Sequence, residues 1–80
     1  RMLLALGADA FAAPIEASLV EAGVEPRIVR VADRATGTAL ISVAAGGEAA
    51  IAVAPGANAA LAPEHLPALD GVTHLVMQLE

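Results

Sequence analysis

The first hydrophobic positions form an unbroken block: Met2-Leu3-Leu4-Ala5-Leu6 runs without a polar residue and stops at Gly7. A short continuous run of this kind suits a strand covered on both faces, as in a parallel sheet. Gly7-Ala8-Asp9 then reads as a turn, with Asp9 able to accept a backbone N–H at a helix start. Phe11, Ile15 and Leu19 recur every four residues and make one apolar helical stripe, while Glu16 and Glu21 point elsewhere. Pro14 is tolerated near the start of that helix, and Gly23 is a natural terminator just past its end. Strand, glycine turn and helix make half of an α/β unit.

The middle of the chain changes period. Residues 27–31 are a strand candidate with mixed faces, followed by a polar turn at Asp33-Arg34. Residues 38–43 form the next strand, Gly46-Gly47 supplies a hairpin turn, and residues 48–53 return with Ile51 and Val53 on one face. Strands joined by turns this short pair antiparallel, so an antiparallel excursion is expected from Arg27 to Val53. Pro55-Gly56-Ala57-Asn58 closes it with a loop. Beyond Leu61, Pro63 sits in the first turn of a short helix that Pro67 limits, and Gly71 ends the connection. Residues 75–79 read as a second, mostly apolar strand with Glu80 at its carboxyl end. The expected division is a strand–helix unit over 1–24, a β excursion over 25–58 and a helix–strand return over 59–80, with no internal repeats or linkers.

Composition narrows the setting. The 80 residues are 58% hydrophobic and 16% charged, which excludes a disordered tail. Much of that apolar content is alanine, and there is one Phe with no Trp or Tyr, so the usual core anchors are scarce. With no Cys and two scattered His, neither disulfides nor a metal staple is expected, and the segment is expected to bury its strands against further chain. A net charge of −5 argues against nucleic acid or an anionic membrane surface as partner. Arg27, Arg30 and Arg34 read as a solvated strand face and turn. The apolar run after Arg1 is too short for a targeting signal, and later runs are broken by Gly and Pro, so no membrane span is expected. The lack of Cys fits a reducing cytoplasm.

Candidate chemistry is sparse. Ligands of open parallel sheets bind beyond the carboxyl ends of strands, which directs attention to Gly7-Ala8-Asp9 and to Glu80. A carboxylate there can accept hydrogen bonds from hydroxyl groups, although a solvated strand end explains Glu80 and a helix cap explains Asp9 equally simply. His65 and His74 lack the spacing of a ligand set, and Ser18 and Ser42 lack a glycine-framed elbow or partnered base. Gly46-Gly47 is not followed by Lys or Ser at phosphate-loop spacing. Read from its residues alone, the segment has a ligand-facing edge and no catalytic machinery.

One ordered set of motifs is specific. Thr36-Gly37-Thr38-Ala39-Leu40-Ile41, the Gly47-Glu48 turn, and Pro55-Gly56-Ala57-Asn58-Ala59-Ala60-Leu61 follow one another as in the ribokinase branch of the PfkB carbohydrate kinases, which this chain resembles. Gly7-Ala8-Asp9-Ala10-Phe11 and Met77-Gln78-Leu79-Glu80 are weaker flanking matches. The resemblance implies an α/β chain that is part of a Rossmann-like ribokinase fold with an antiparallel β-sheet lid closing over the sugar. It implies that Ala39, Ile41 and Val53 lie against the sugar and that Glu80 bonds a ribose hydroxyl. It further implies a cytoplasmic homodimer joined through its lids, with ATP, Mg2+ and a monovalent cation such as K+. The family reaction would be transfer of the ATP γ-phosphoryl group to the 5-hydroxyl of D-ribose. A fructokinase or nucleoside kinase, or a non-catalytic sugar-binding or dimerisation segment, are the alternatives. Ala12 and Ala49 depart from the family's usual Gly and Asn. The family's catalytic base, nucleotide pocket and cation site have no counterpart in these 80 residues, so the segment by itself is not expected to transfer phosphate.

Overall fold

A computed structural model describes residues 1–78. Strand β1 (Met2–Gly7) leads through helix α1 (Ala12–Glu21) to strand β2 (Pro26–Val31), and β1 and β2 pair in parallel from Met2↔Pro26 to Gly7↔Val31. A parallel pair needs a crossover, and α1 supplies it. The unbroken apolar run of β1 is buried at its carboxyl half, where Ala5 and Leu6 are each 2% exposed, and open at its amino half. The Met2 N–H, bonded to the Glu25 carbonyl at 2.9 Å, continues the connection at that open end.

The parallel pairing corrects one expectation. Strand β2 was expected to open the antiparallel excursion, yet it extends the α/β unit instead. Arg27 and Arg30 are three residues apart and so lie on opposite faces of β2, which leaves its faces mixed, while strand direction is decided by the crossover helix and by a partner 24 residues away. The antiparallel part begins one strand later. Strand β3 (Thr38–Val43) and strand β4 (Ala49–Ala54) form a hairpin with Ile41↔Ile51 at its middle. Its tip is a three-residue loop: Ala44 C=O accepts the Gly47 N–H at 2.9 Å, and Ala44 N–H donates to Glu48 C=O at 2.8 Å. Gly47 has φ +87°, the left-handed residue that such a loop requires.

Helix α1 turns a different face inward from the one the Phe11, Ile15 and Leu19 stripe suggested. Phe11 remains 61% exposed and Ile15 37% exposed, whereas Ala12 is buried and Glu16 and Leu19 are half-buried. Ala12, Glu16 and Leu19 also satisfy helical spacing, and the small Ala12 lets the first turn sit close to the sheet. The helix ends as expected, with Gly23 at φ +72° donating its N–H to Val20 C=O.

After β4, a 3-10 helix at Gly56–Ala60 returns the chain onto β1 and β2, with Ala57 fully buried. A second short one follows at Pro63–His65. The strand expected over 75–79 does not form in the part described: residues 72–78 make no ladder, and Val76 is 93% exposed. Leu66, Leu69 and Leu75 line a cleft of about 380 Å³ together with Arg1, Leu3 and Arg27, so the chain here lies beside the sheet without joining its ladder. An apolar run states that burial is wanted but does not name the edge that supplies the hydrogen bonds.

Candidate functional site

The carboxyl end of the parallel pair carries the densest polar network in the described residues. Gly7 ends β1, and its N–H donates to Thr36 Oγ1 at 3.0 Å. The Thr36 hydroxyl donates in turn to Asp9 Oδ1 at 2.8 Å, and the Thr36 N–H donates to Asp9 Oδ2 at 2.6 Å. Asp9 Oδ1 also accepts the Phe11 N–H at 3.1 Å, which shapes the turn into α1. Thr36 is 5% exposed and every one of its polar side-chain bonds is made. Buried polar groups must be paired in this way, because an unpaired one costs the full desolvation of that group.

The same network sets the charge state of Asp9. The Thr36 N–H, then the Thr36 hydroxyl, hold its carboxyl below the ordinary value of 3.8, with the Phe11 and Ala12 N–H groups adding to this and partial burial opposing it. Donors that all point at the ionised form favour it. Asp9 therefore accepts a backbone N–H just ahead of α1, but it is not the cap: Phe11 holds that position with no side-chain cap bond, and the two closest partners of Asp9 belong to Thr36. Thr36 had been singled out only as part of a motif; its partner lies 27 residues away, and no spacing rule links the two.

Beside this network the carboxyl edge opens into a cleft of about 330 Å³ lined by Gly7, Asp9, Ala12, Glu16, Arg30 and neighbours. Arg30 and Glu16, both in its lining, are ion-paired with each other. The cleft lies where open α/β sheets carry ligands.

The hairpin supplies the second part of the candidate site. Cross-strand pairing sets Ala39 against Val53, Ile41 against Ile51 and Val43 against Ala49. Paired residues share a face, so Ala39, Ile41 and Val53 form one apolar surface with Val43 and Ile51. That surface is uncovered: Ile41 is 61% and Val53 69% exposed. The opposite face carries Thr38, Leu40, Ser42 and three alanines. Glu80 lies outside the described residues.

Other candidates have local partners. His65 Nδ1 accepts the Ala62 N–H at 3.0 Å, and His74 Nδ1 lies 3.0 Å from Thr73 Oγ1. Among the described residues no group of three or more His, Cys, Asp or Glu could hold a metal ion. Among them, too, no helix is long and apolar enough to cross a membrane.

Residues 1–78 match the family described as pfkB family carbohydrate kinase. Ribokinase from Giardia lamblia is similar in structure, with a TM-score of 0.73 and 38% identity over 79% of this chain and 19% of that one. The crystal structure of Sa239 is also similar, with a TM-score of 0.68 and 34% identity over 76% of this chain and 20% of that one. No curated protein matches. The chain thus spans about a fifth of the length of the solved structures it resembles.

Proposed function

The chain belongs to the pfkB family of carbohydrate kinases, by a match across residues 1–78, and from that premise we propose that its parent protein is an ATP-dependent sugar kinase acting on ribose. The observation that carries the reading is the hairpin register, which gathers Ala39, Ile41 and Val53 on one uncovered apolar face. An apolar face rooted at the carboxyl edge of a parallel pair, where open α/β sheets bind ligands, is a suitable cover for a sugar ring, because closure excludes water from the hydroxyl that is to react. In this reading the lid is the hairpin within the 25–58 segment, and Glu80 accepts a hydrogen bond from a ribose hydroxyl. The 38% identity with a protein named ribokinase supports ribose over other sugars.

The segment's own share of the work is binding. Its residues orient the sugar and cover it, while ATP, Mg2+ and a monovalent cation such as K+ would supply and neutralise the transferring phosphoryl group. The described residues do not fit those groups, since they hold neither a cluster of metal-binding side chains nor a glycine-rich phosphate loop. The apolar hairpin also supports a homodimer formed lid to lid, in a cytoplasmic enzyme.

A coupled ADP-release assay over ribose, fructose and adenosine tests the reading in the full-length protein. Ribose should give the highest kcat/KM; turnover confined to fructose or adenosine would refute ribose, and no turnover with any of them would refute the kinase. Glu80→Ala should raise the KM for ribose and leave that for ATP unchanged. An equal rise in both would remove Glu80 from the sugar site.

A further inference from the structure

The hairpin is held only at its root. Residues 38–55 are all exposed, so among the described residues nothing packs β3 or β4 onto the α/β unit. At the root, in contrast, Thr36 and Ala57 are buried, and the two chain crossings are tied to each other by the Ala57 N–H bond to Ala35 C=O at 2.7 Å. That tie joins the crossings but does not orient them. Orientation comes from the contacts to β1 and to the turn after it, where Thr36 meets the Gly7 N–H and the Asp9 carboxylate.

We propose that Asp9 is a positioning residue for the hairpin: it grips residue 36 at two points and so sets the angle at which β3 and β4 leave the parallel sheet. One hydrogen bond would leave Thr36 free to swivel. Here Oδ2 takes the backbone N–H and Oδ1 takes the hydroxyl, while that hydroxyl receives the Gly7 N–H, closing a triangle of three residues from two parts of the chain. The grip needs a carboxylate, because three donors converge on it: the Thr36 N–H, the Thr36 hydroxyl and the Phe11 N–H. An asparagine offers one acceptor oxygen in place of two and must turn its NH2 group toward one of those donors. Among the described residues Asp9 makes no side-chain hydrogen bond to β3 or β4. It acts through Thr36, which precedes Gly37 and the first residue of β3.

The competing role is a helix-start residue and nothing more, since Asp9 also accepts the Phe11 N–H beside α1. The two roles load different elements. Loss of a helix-start bond loosens the first turn of α1, whereas loss of the grip loosens the hairpin.

The test uses the full-length protein with spin labels at Ser18 on α1 and Ala45 at the hairpin tip. The native protein should give one narrow inter-label distance. Asp9→Ala and Thr36→Val should each broaden it, Thr36→Ser should keep it narrow, and the double variant Asp9→Ala/Thr36→Val should broaden it no further than either alone. Asp9→Asn provides the same comparison if Asp9→Ala does not fold. A distribution in the Asp9 variants as narrow as the native one, with faster amide exchange confined to the first turn of α1, would overturn the proposal. The kinetic consequence rests on the sugar-kinase reading: the KM for the sugar should rise about tenfold or more, with that for ATP held within about twofold. The distance measurement needs no turnover, so it stands or falls independently of that reading.

Discussion

Two glycines with the same backbone handedness but different surroundings allow the hairpin root to be weighed directly. Gly47 at the tip has φ +87° and Gly56 at the root has φ +51°, so an added Cβ strains both backbones. At Gly47 the new Cβ would meet nothing within 4 Å. Its cost is the left-handed penalty alone, roughly 1–2 kcal/mol, less about 0.4–1 kcal/mol regained by restricting the unfolded chain. At Gly56 the Cβ would overlap the Ala35 carbonyl oxygen and come within 3.1 Å of the Gly37 nitrogen. That carbonyl accepts the Ala57 N–H, and Ala57 is fully buried, so moving it strands a buried donor. The stranded N–H adds about 1–3 kcal/mol. Gly56→Ala should therefore destabilise the protein more than Gly47→Ala by that margin, roughly fivefold to a hundredfold in the unfolding equilibrium. Urea unfolding of the full-length protein measures it, with the denaturant slope checked for constancy. Exchange of the Ala57 amide gives a local reading, faster in Gly56→Ala and native in Gly47→Ala. Equal destabilisation by the two substitutions would refute the argument that the root is a tight, hydrogen-bonded clamp.

Further outcomes follow from the core and from Asp9. Leu6 is the largest fully buried side chain described, and Leu6→Ala should cost about 2–5 kcal/mol in the same unfolding experiment; a loss below about 1 kcal/mol would mean that β1 is not central to the core. The Asp9 carboxyl is depressed below 3.8, so its stabilisation is complete above that value and is lost as pH falls through the lower, folded-state value. The stability difference between native protein and Asp9→Asn should accordingly be constant near neutrality and shrink in acid below about pH 4. A difference independent of pH down to about pH 2 would show that Asp9 gains nothing from ionisation in the fold.

Local chemistry made much of the fold legible in the sequence, and distant partners account for what was not. The unbroken run ending at Gly7 announced a parallel strand, and Gly46-Gly47 between two β-rich stretches announced a hairpin with little competition. The orientation of β2 could not be read, since arginines three residues apart put charge on both faces and say nothing of strand direction. In α1 the bulky stripe was the natural choice, but an alanine-rich helix has two faces of similar polarity, and the closer approach allowed by Ala12 decided between them. The gathering of Ala39, Ile41 and Val53 on one face follows from the register, which the two strands and a three-residue loop fix between them. The Asp9–Thr36 grip was beyond reach because its members are 27 residues apart and each has an ordinary local explanation.

The clamp at the root also bears on how such a chain can change over time. Ala35 and Ala57, on either side of the excursion, are a single hydrogen bond apart, so the path of the parallel unit is already complete without the hairpin. Residues between them behave as a cassette: the chain leaves and returns at one point, and loop-closure entropy grows only slowly with the length inserted there. The strands of the excursion can lengthen, shorten or be exchanged while the sheet beneath keeps its register. Only the junction itself, Thr36, Gly37, Gly56 and Ala57, has no such latitude.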